Sequence, residues 1–161
     1  MILALLILCV VVLVCFGLVV MFGAPYVPSL KPHVAAALDL LDLKKGDLLL
    51  ELGAGDGRVM VAALERGQRV IGYEINPILA LIAWLRVRRY GKRAKVVWGD
   101  AFRAQWPDDA RAVYLFGVQR LAGKVHQRLS TWSGIKFATV GFQVPGKTAA
   151  ATRDAVYVYE Y

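Results

Sequence analysis

From Ile2 to Ala24 the chain carries no charged or strongly polar side chain, and beyond it short apolar runs alternate with stretches of helical periodicity. At about 1.5 Å of rise per residue, the first segment is long enough for the roughly 30 Å hydrocarbon core of a bilayer, so it is expected to form one span. A cleaved signal peptide would want a basic N-terminus, a shorter apolar run and a small-residue cleavage site, and none stands out. No basic residue precedes the segment, whereas Lys31, Lys44, Lys45 and Arg58 follow it. That asymmetry predicts a single-pass protein with its domain on the cytoplasmic or mitochondrial matrix side.

After the apolar segment, Pro25, Pro28 and Pro32 stiffen a connector that cannot be helical throughout. Apolar positions Val34, Leu38 and Leu41 then share one face of a short helix. Five apolar runs follow, "LLLEL", "QRVIGYE", "AKVVWGD", "RAVYLFG" and "IKFATVGFQV", separated by helical patterns, and "AVYVYEY" closes the chain with an alternation suited to an antiparallel edge strand. The second helix is expected to end at Gly67. The third is expected to start at Asn76 and Pro77 and to stop at Gly91. Strand and helix in regular alternation define an α/β domain. The expected architecture is a Rossmann-like, doubly wound, mostly parallel sheet of about six strands, the last antiparallel. The domain plan is an anchor over 1–24, a connector over 25–31 and one domain over 32–161.

Charge refines the plan. The chain holds 20 Lys and Arg against 12 Asp and Glu, a formal net charge of +8, and the densest basic run is "RVRRYGKRAK", from Arg86 to Lys95. Aromatic interleaving there is slight, so attraction to anionic lipid headgroups is a simpler account than nucleic-acid binding, and a solvated helix face is simpler still. Both cysteines, Cys9 and Cys15, fall in the apolar segment, so the domain has neither a disulfide framework nor metal-ligand spacing.

The candidate chemistry lies in "ELGAGDGRV". In a doubly wound sheet the turn after the first strand approaches the ligand, and glycine permits the approach. A dinucleotide fingerprint G-x-G-x-x-G needs glycine where Arg58 stands, and a phosphate-cradling loop needs a terminal G-K-[ST] that is absent. What remains is an acid followed by Gly53, Gly55 and Gly57, with Glu74 ending the second strand and Asp100 just after the third. Glu74 follows Glu51 by 23 residues, near the roughly 20-residue spacing at which a second-strand acid meets a ribose. A ligand without phosphate tolerates such carboxylates; a pyrophosphate does not.

In these features the chain resembles class I S-adenosylmethionine-dependent methyltransferases. The resemblance implies that Glu51, Gly53, Gly55 and Gly57 lie at the methionine part of the cofactor, that Glu74 holds the ribose hydroxyls and that Asp100 contacts the adenine. A narrower resemblance covers nearly the full length. "PYVPS" after an apolar segment, then "ELGAGDGRV", "GYEINP" and "LFGVQ", is similar to the small membrane-anchored protein-lysine methyltransferases of the ATP synthase c-ring protein and adenine nucleotide carriers and to their prokaryotic relatives. It implies methyl transfer to the lysine amine of a membrane-associated protein. "LFGVQ" also lacks the acid or Asn followed by prolines with which many members hold an amide or an adenine. No metal is implied, and nucleic acid is not the expected partner.

A lysine amine must lose its proton before it attacks, which costs about 4–5 kcal/mol at neutral pH. Desolvation and the sulfonium charge favour the neutral amine, so alignment supplies much of the rate. Tyr26, Ser29 and Gln119 are the candidates for the acceptor channel; a linker aromatic is an equally simple account of Tyr26, and a helix cap a plainer one of Ser29. Two alternatives remain open: an aminophospholipid as acceptor, and a module that binds S-adenosylmethionine without catalysis.

Overall fold

The computed structural model describes residues 2–22 and 28–161. Helix α1 covers Ile2–Phe22. The side chains described on it are those of residues 2–7, 9–11, 13, 14 and 17, all exposed. The expected membrane span is not borne out: among the described residues no helix is long and apolar enough to cross a membrane. A crossing needs about 20 consecutive apolar residues, and the described apolar runs of α1 are far shorter. The single-pass placement drawn from that span is corrected accordingly.

The domain begins with α2, Lys31–Leu41, which buries Val34, Leu38 and Leu41 as its periodicity requires and ends at Asp42 in the left-handed conformation. Then follow β1 (Leu48–Leu52), α3 (Arg58–Glu65), β2 (Arg69–Glu74) and α4 (Pro77–Val87), with a 3-10 segment at Arg88–Arg93. After it come β3 (Ala94–Trp98), β4 (Ala110–Phe116), α5 (Gln119–Leu129), β5 (Lys136–Val140), β6 (Ala151–Arg153) and β7 (Val156–Glu160). Asn76 caps α4 as its type predicts, its Oδ1 accepting from the backbone N–H of Ile78 at 2.9 Å and Leu79 at 3.2 Å.

The strands form one sheet in the order β3-β2-β1-β4-β5-β7-β6. The first five are parallel, and β7 runs antiparallel to both neighbours. Alternation along β1 assigns the two faces. Leu49 joins a core with Leu38, Leu41, Met60 and Leu64, under α2 and α3. Leu48, Leu50 and Leu52 join the opposite core with Val125, Leu129 and Trp106, under α5.

Seven strands are present where about six were expected, and β7 is an inner strand, not an edge. The difference lies in "PGKTAAATRD", read from sequence as a turn, where residues 151–153 form β6 and pair with β7. The connecting turn places Asp154 at φ 51° and Ala155 at φ 60°. Asp-Ala is not the Asn-Gly or Asp-Gly that marks such a hairpin, so the tight turn carried no sequence signal. Likewise β5 ends at Val140 and does not continue through "GFQV", because Gly141 turns back with φ +76° and donates to the carbonyl of Ala155.

Gly72, in the middle of β2, makes the layers fit. A Cβ built there stands 2.5 Å from Met60 Sδ and 2.8 Å from Ala54 Cβ, so the glycine lets α3 and the turn before it settle on the sheet. Gly72→Ala is therefore expected to lower stability by about 1–3 kcal/mol through overpacking. Thermal unfolding followed by circular dichroism checks this, and an unchanged melting temperature would contradict the close approach.

Candidate active site

Strand order reverses between β1 and β4, and the carboxyl ends of the strands border a cavity there, of about 230 Å³. Its wall includes Glu51, the glycine turn, Glu74, Asp100, Phe102 and Phe116. The turn bends away from β1 with φ of +87° at Gly53, +54° at Gly55 and +80° at Gly57. At Gly57 space is limiting as well, since a Cβ would lie 3.0 Å from the Cα of Ala83 on α4. The N–H groups of Gly53 and Ala54 both donate to the carbonyl of Tyr73 at 2.9 Å, which ties the turn to the end of β2.

Glu74 holds the turn from the other side. Its Oε2 accepts from the N–H of Gly55 at 2.7 Å and its Oε1 from the N–H of Asn76 at 2.9 Å. Each carboxylate oxygen retains acceptor capacity toward the cavity. Asp100 is fixed in the same manner, accepting from the N–H of Phe102 at 2.9 Å.

Glu51 has a different environment. It is 2 % exposed, it lines the cavity, and its Oε2 has no hydrogen-bond partner. Burial, reinforced by the nearby charges of Glu74 and Asp56, raises its carboxyl well above the ordinary carboxylate range. Glu51 is therefore a neutral, incompletely bonded acid poised for a ligand's donor or positive charge.

Sequence reading missed the support beneath the turn. Burial works to raise the carboxyl of Asp56, but hydrogen bonds from Arg58 and Arg86 outweigh it and hold the group at about 2. Arg58 reaches Asp56 Oδ2 at 2.9 Å and Arg86 reaches it at 2.6 Å. Arg58, noticed at first only because it stands where a glycine was wanted, also donates to the carbonyl of Ser29 at 3.3 Å. The Asp56–Arg86 pair spans 30 residues, so only folding brings it together.

Of the acceptor-channel candidates, Ser29 is buried and lines the cavity. Its Oγ lies 3.2 Å from the hydroxyl of Tyr114, which stands opposite Glu51 in the β1–β4 register. Tyr26 lies outside the described residues. Gln119 is not in the cavity wall. It is exposed at the first turn of α5 and borders a separate cleft with Gln143 and Lys147, because the backbone after Phe116 turns into the helix and carries it away. The α5 residues that do reach the wall are Arg120, Leu121 and Lys124, which the sequence reading passed over.

The residues present fit S-adenosylmethionine. Glu51, Glu74 and Asp100 converge on one cavity, the first with an orphaned buried oxygen, and such a wall suits a ligand that carries an ammonium and a sulfonium and no phosphate. Together the sheet order, the glycine turn and these acids define a class I S-adenosylmethionine-dependent methyltransferase. The model of the ANTKMT methyltransferase domain matches residues 51–151, more than half of the chain, and the chain belongs to that family.

Similar proteins agree. The chain is 30 % identical over 109 residues to a lysine N-methyltransferase of the ATP synthase c-ring protein from Xenopus laevis, covering 66 % of this chain and 47 % of that protein. It is 40 % identical over 75 residues to a mouse adenine nucleotide translocase lysine N-methyltransferase, covering 46 % of this chain and 32 % of that one. The chain thus spans about half the length, or less, of these curated relatives. Among solved structures, an RNA methyltransferase from Salinibacter ruber in complex with S-adenosyl-L-homocysteine superposes with a TM-score of 0.76 at 29 % identity, covering 83 % of this chain and 93 % of that one.

Proposed function

We propose that this chain transfers a methyl group from S-adenosylmethionine to the side-chain amine of a lysine in a membrane-associated protein. The observation that carries the reading is the end of β4. Leu115 and Phe116 line the cavity where an amide- or adenine-modifying member would present an acid or Asn and prolines, and the relatives named for lysine N-methylation share this family.

In this reading the glycine turn and Glu51 receive the amino-acid end of the cofactor, the free lone pairs of Glu74 accept the ribose hydroxyls, and Asp100 meets the adenine. When bound, the cofactor supplies an electrophilic methyl group on a positively charged sulfur. The chain's part is to orient and to exclude water. Leu115, Phe116 and Phe102 present apolar surface that favours a neutral over a protonated amine. Ser29, fixed between Tyr114 and Arg58, positions the connector at the rim. In-line approach of a neutral amine then needs no strong base, and its proton leaves to solvent.

The similarity to an RNA methyltransferase over most of the chain supports a second reading, methylation of RNA. One experiment separates the acceptors. The purified protein is incubated with isotopically labelled S-adenosylmethionine and a membrane fraction retaining its RNA, and label is then measured in protein, RNA and lipid. Methyl-lysine in protein is expected. Label confined to RNA supports the second reading, label confined to aminophospholipid supports a lipid acceptor, and cofactor binding with no transfer supports a non-catalytic module; each of these overturns the proposal.

A further inference from the structure

The outer face of α4 and the adjoining end of β3 leave large apolar side chains without cover: Leu81 is 56 % exposed, Trp84 48 %, Leu85 47 % and Trp98 70 %. Residues 81, 84 and 85 lie on one side of the helix, opposite the buried Leu79, Ala83 and Val87. Trp98 joins this face to the cavity: its indole N–H donates to the carbonyl of Ile75 at 3.1 Å, and Ile75 is part of the cavity wall. Soluble domains seldom display such a group of aliphatic and indole side chains together unless it meets something apolar.

The charge around the face identifies the partner. Between Ile75 and Gly99 the sequence contains no Asp or Glu, while Arg86, Arg88, Arg89, Lys92, Arg93 and Lys95 are all present. Two of these meet acids from other elements, Arg86 with Asp56 at 2.6 Å and Arg89 with Glu65 at 3.7 Å. Arg88 lies over the ring of Trp84 at 5.8 Å, and Lys92 and Lys95 are exposed. An apolar strip with indoles at its margin and cations beside it matches the interface of an anionic bilayer. Acyl chains take the leucines, the headgroup boundary takes the indoles, and phosphates take the cations.

Other occupants fit less well. A second copy seated by two-fold symmetry would bring one cluster of six cations against another. Nucleic acid would satisfy the cations but leave Leu81 and Leu85 in water, and the ring of Trp84 already carries Arg88.

We infer that the α4 face, with Leu81, Trp84, Leu85 and Trp98, is a peripheral docking surface for anionic lipid that sets the mouth of the cavity at the headgroup level. The inference does not depend on which acceptor is methylated. It is tested with the full chain and vesicles whose acyl chains carry bromine, which quenches indole emission on contact. The vesicles are either phosphatidylcholine alone or phosphatidylcholine with about a third phosphatidylglycerol. Attachment through any other segment leaves Trp84 and Trp98 bright, so the signal reports this face. The expected result is strong quenching on anionic vesicles only, most of it lost in a Trp84→Phe, Trp98→Phe variant. Leu81→Asp with Leu85→Asp is expected to weaken the quenching-monitored affinity about tenfold or more, with an unchanged melting temperature because both side chains are exposed. Lys92→Glu with Lys95→Glu, which leaves the apolar strip intact, should abolish the preference for anionic over neutral vesicles. Unquenched indoles, equal quenching on both vesicles, or protection of α4 from hydrogen exchange by RNA or by self-association instead of by vesicles would each overturn the inference.

Discussion

Glu74→Ala is expected to weaken binding of S-adenosylhomocysteine by about 100-fold to 1000-fold and to remove methyl transfer at ordinary cofactor concentrations. The carboxylate does two things at once. Its oxygens accept the N–H groups of Gly55 and Asn76, which fix the glycine turn and the start of α4, and their remaining lone pairs are the proposed acceptors for the ribose hydroxyls. Removing it leaves two N–H groups without their partner and takes away both ribose contacts. Charge-assisted hydrogen bonds of this kind contribute roughly 1.5–3 kcal/mol each, so losing the ribose pair alone accounts for the expected drop. Isothermal titration well below the melting temperature separates this loss from loosening of the fold. Affinity within a few-fold of the parent's would remove Glu74 from the cofactor site.

Glu51→Gln is expected to separate stability from binding. In the ligand-free protein Glu51 retains its proton because burial, with Glu74 and Asp56 nearby, raises its carboxyl. The folded state therefore holds a proton that the unfolded chain releases above about pH 4.3. Stability falls as pH rises from that value toward the raised one, since the native state binds more protons across the window. Glutamine mimics the neutral acid and has no proton to lose, so the variant should be the more stable of the two near pH 7, by about 1–2 kcal/mol, and equal to the parent near pH 4. It should also bind cofactor about tenfold or more weakly, because an uncharged amide cannot pair with the ligand's ammonium as the carboxylate does. Thermal melts from pH 4 to pH 8, alongside calorimetric titrations, check both halves. Parallel pH profiles for the two proteins, or undiminished affinity in the variant, would contradict this account of Glu51.

The two acids share one cavity yet are held in opposite states, which explains how a wall rich in carboxyl groups is tolerated before any ligand arrives. Asp56 is the third case. Its charge is kept by Arg58 and Arg86, and through them the turn is braced against both the connector at Ser29 and α4. A change in α4 thus bears directly on the loop that shapes the cavity, although Arg86 is distant from it in the chain.

Local chemistry made part of this protein legible from its sequence. Periodicity located α2, α3, α4 and α5, the runs of Leu, Val and Ile located the five parallel strands, and Asn76-Pro77 marked the start of α4, because each of these depends on residues a few positions apart. The glycine turn with Glu51, Glu74 and Asp100 was readable for the same reason: in a doubly wound sheet the ligand meets the ends of successive strands, and those ends are short, polar and regularly spaced. The apolar segment before the domain shows where such reading stops, since an unbroken apolar run predicted a membrane span that the described helix does not support.

Tertiary structure alone decided the rest. Pairing of β6 with β7 rests on a turn at Asp154 and Ala155 whose residues do not advertise it, and it moved the last strand from the edge of the sheet to its interior. Gln119 left the cavity because a helix begins there, while Ser29 entered it because Tyr114 and Arg58 hold it. The protonation of Glu51 and the ionisation of Asp56 follow from what is packed around each carboxyl. The sequence determined which elements form and which acids end them. Only folding decided which side chains share a low-dielectric space, because that depends on contacts between residues distant in the chain, and there charge and hydrogen bonding acquire their chemical consequences.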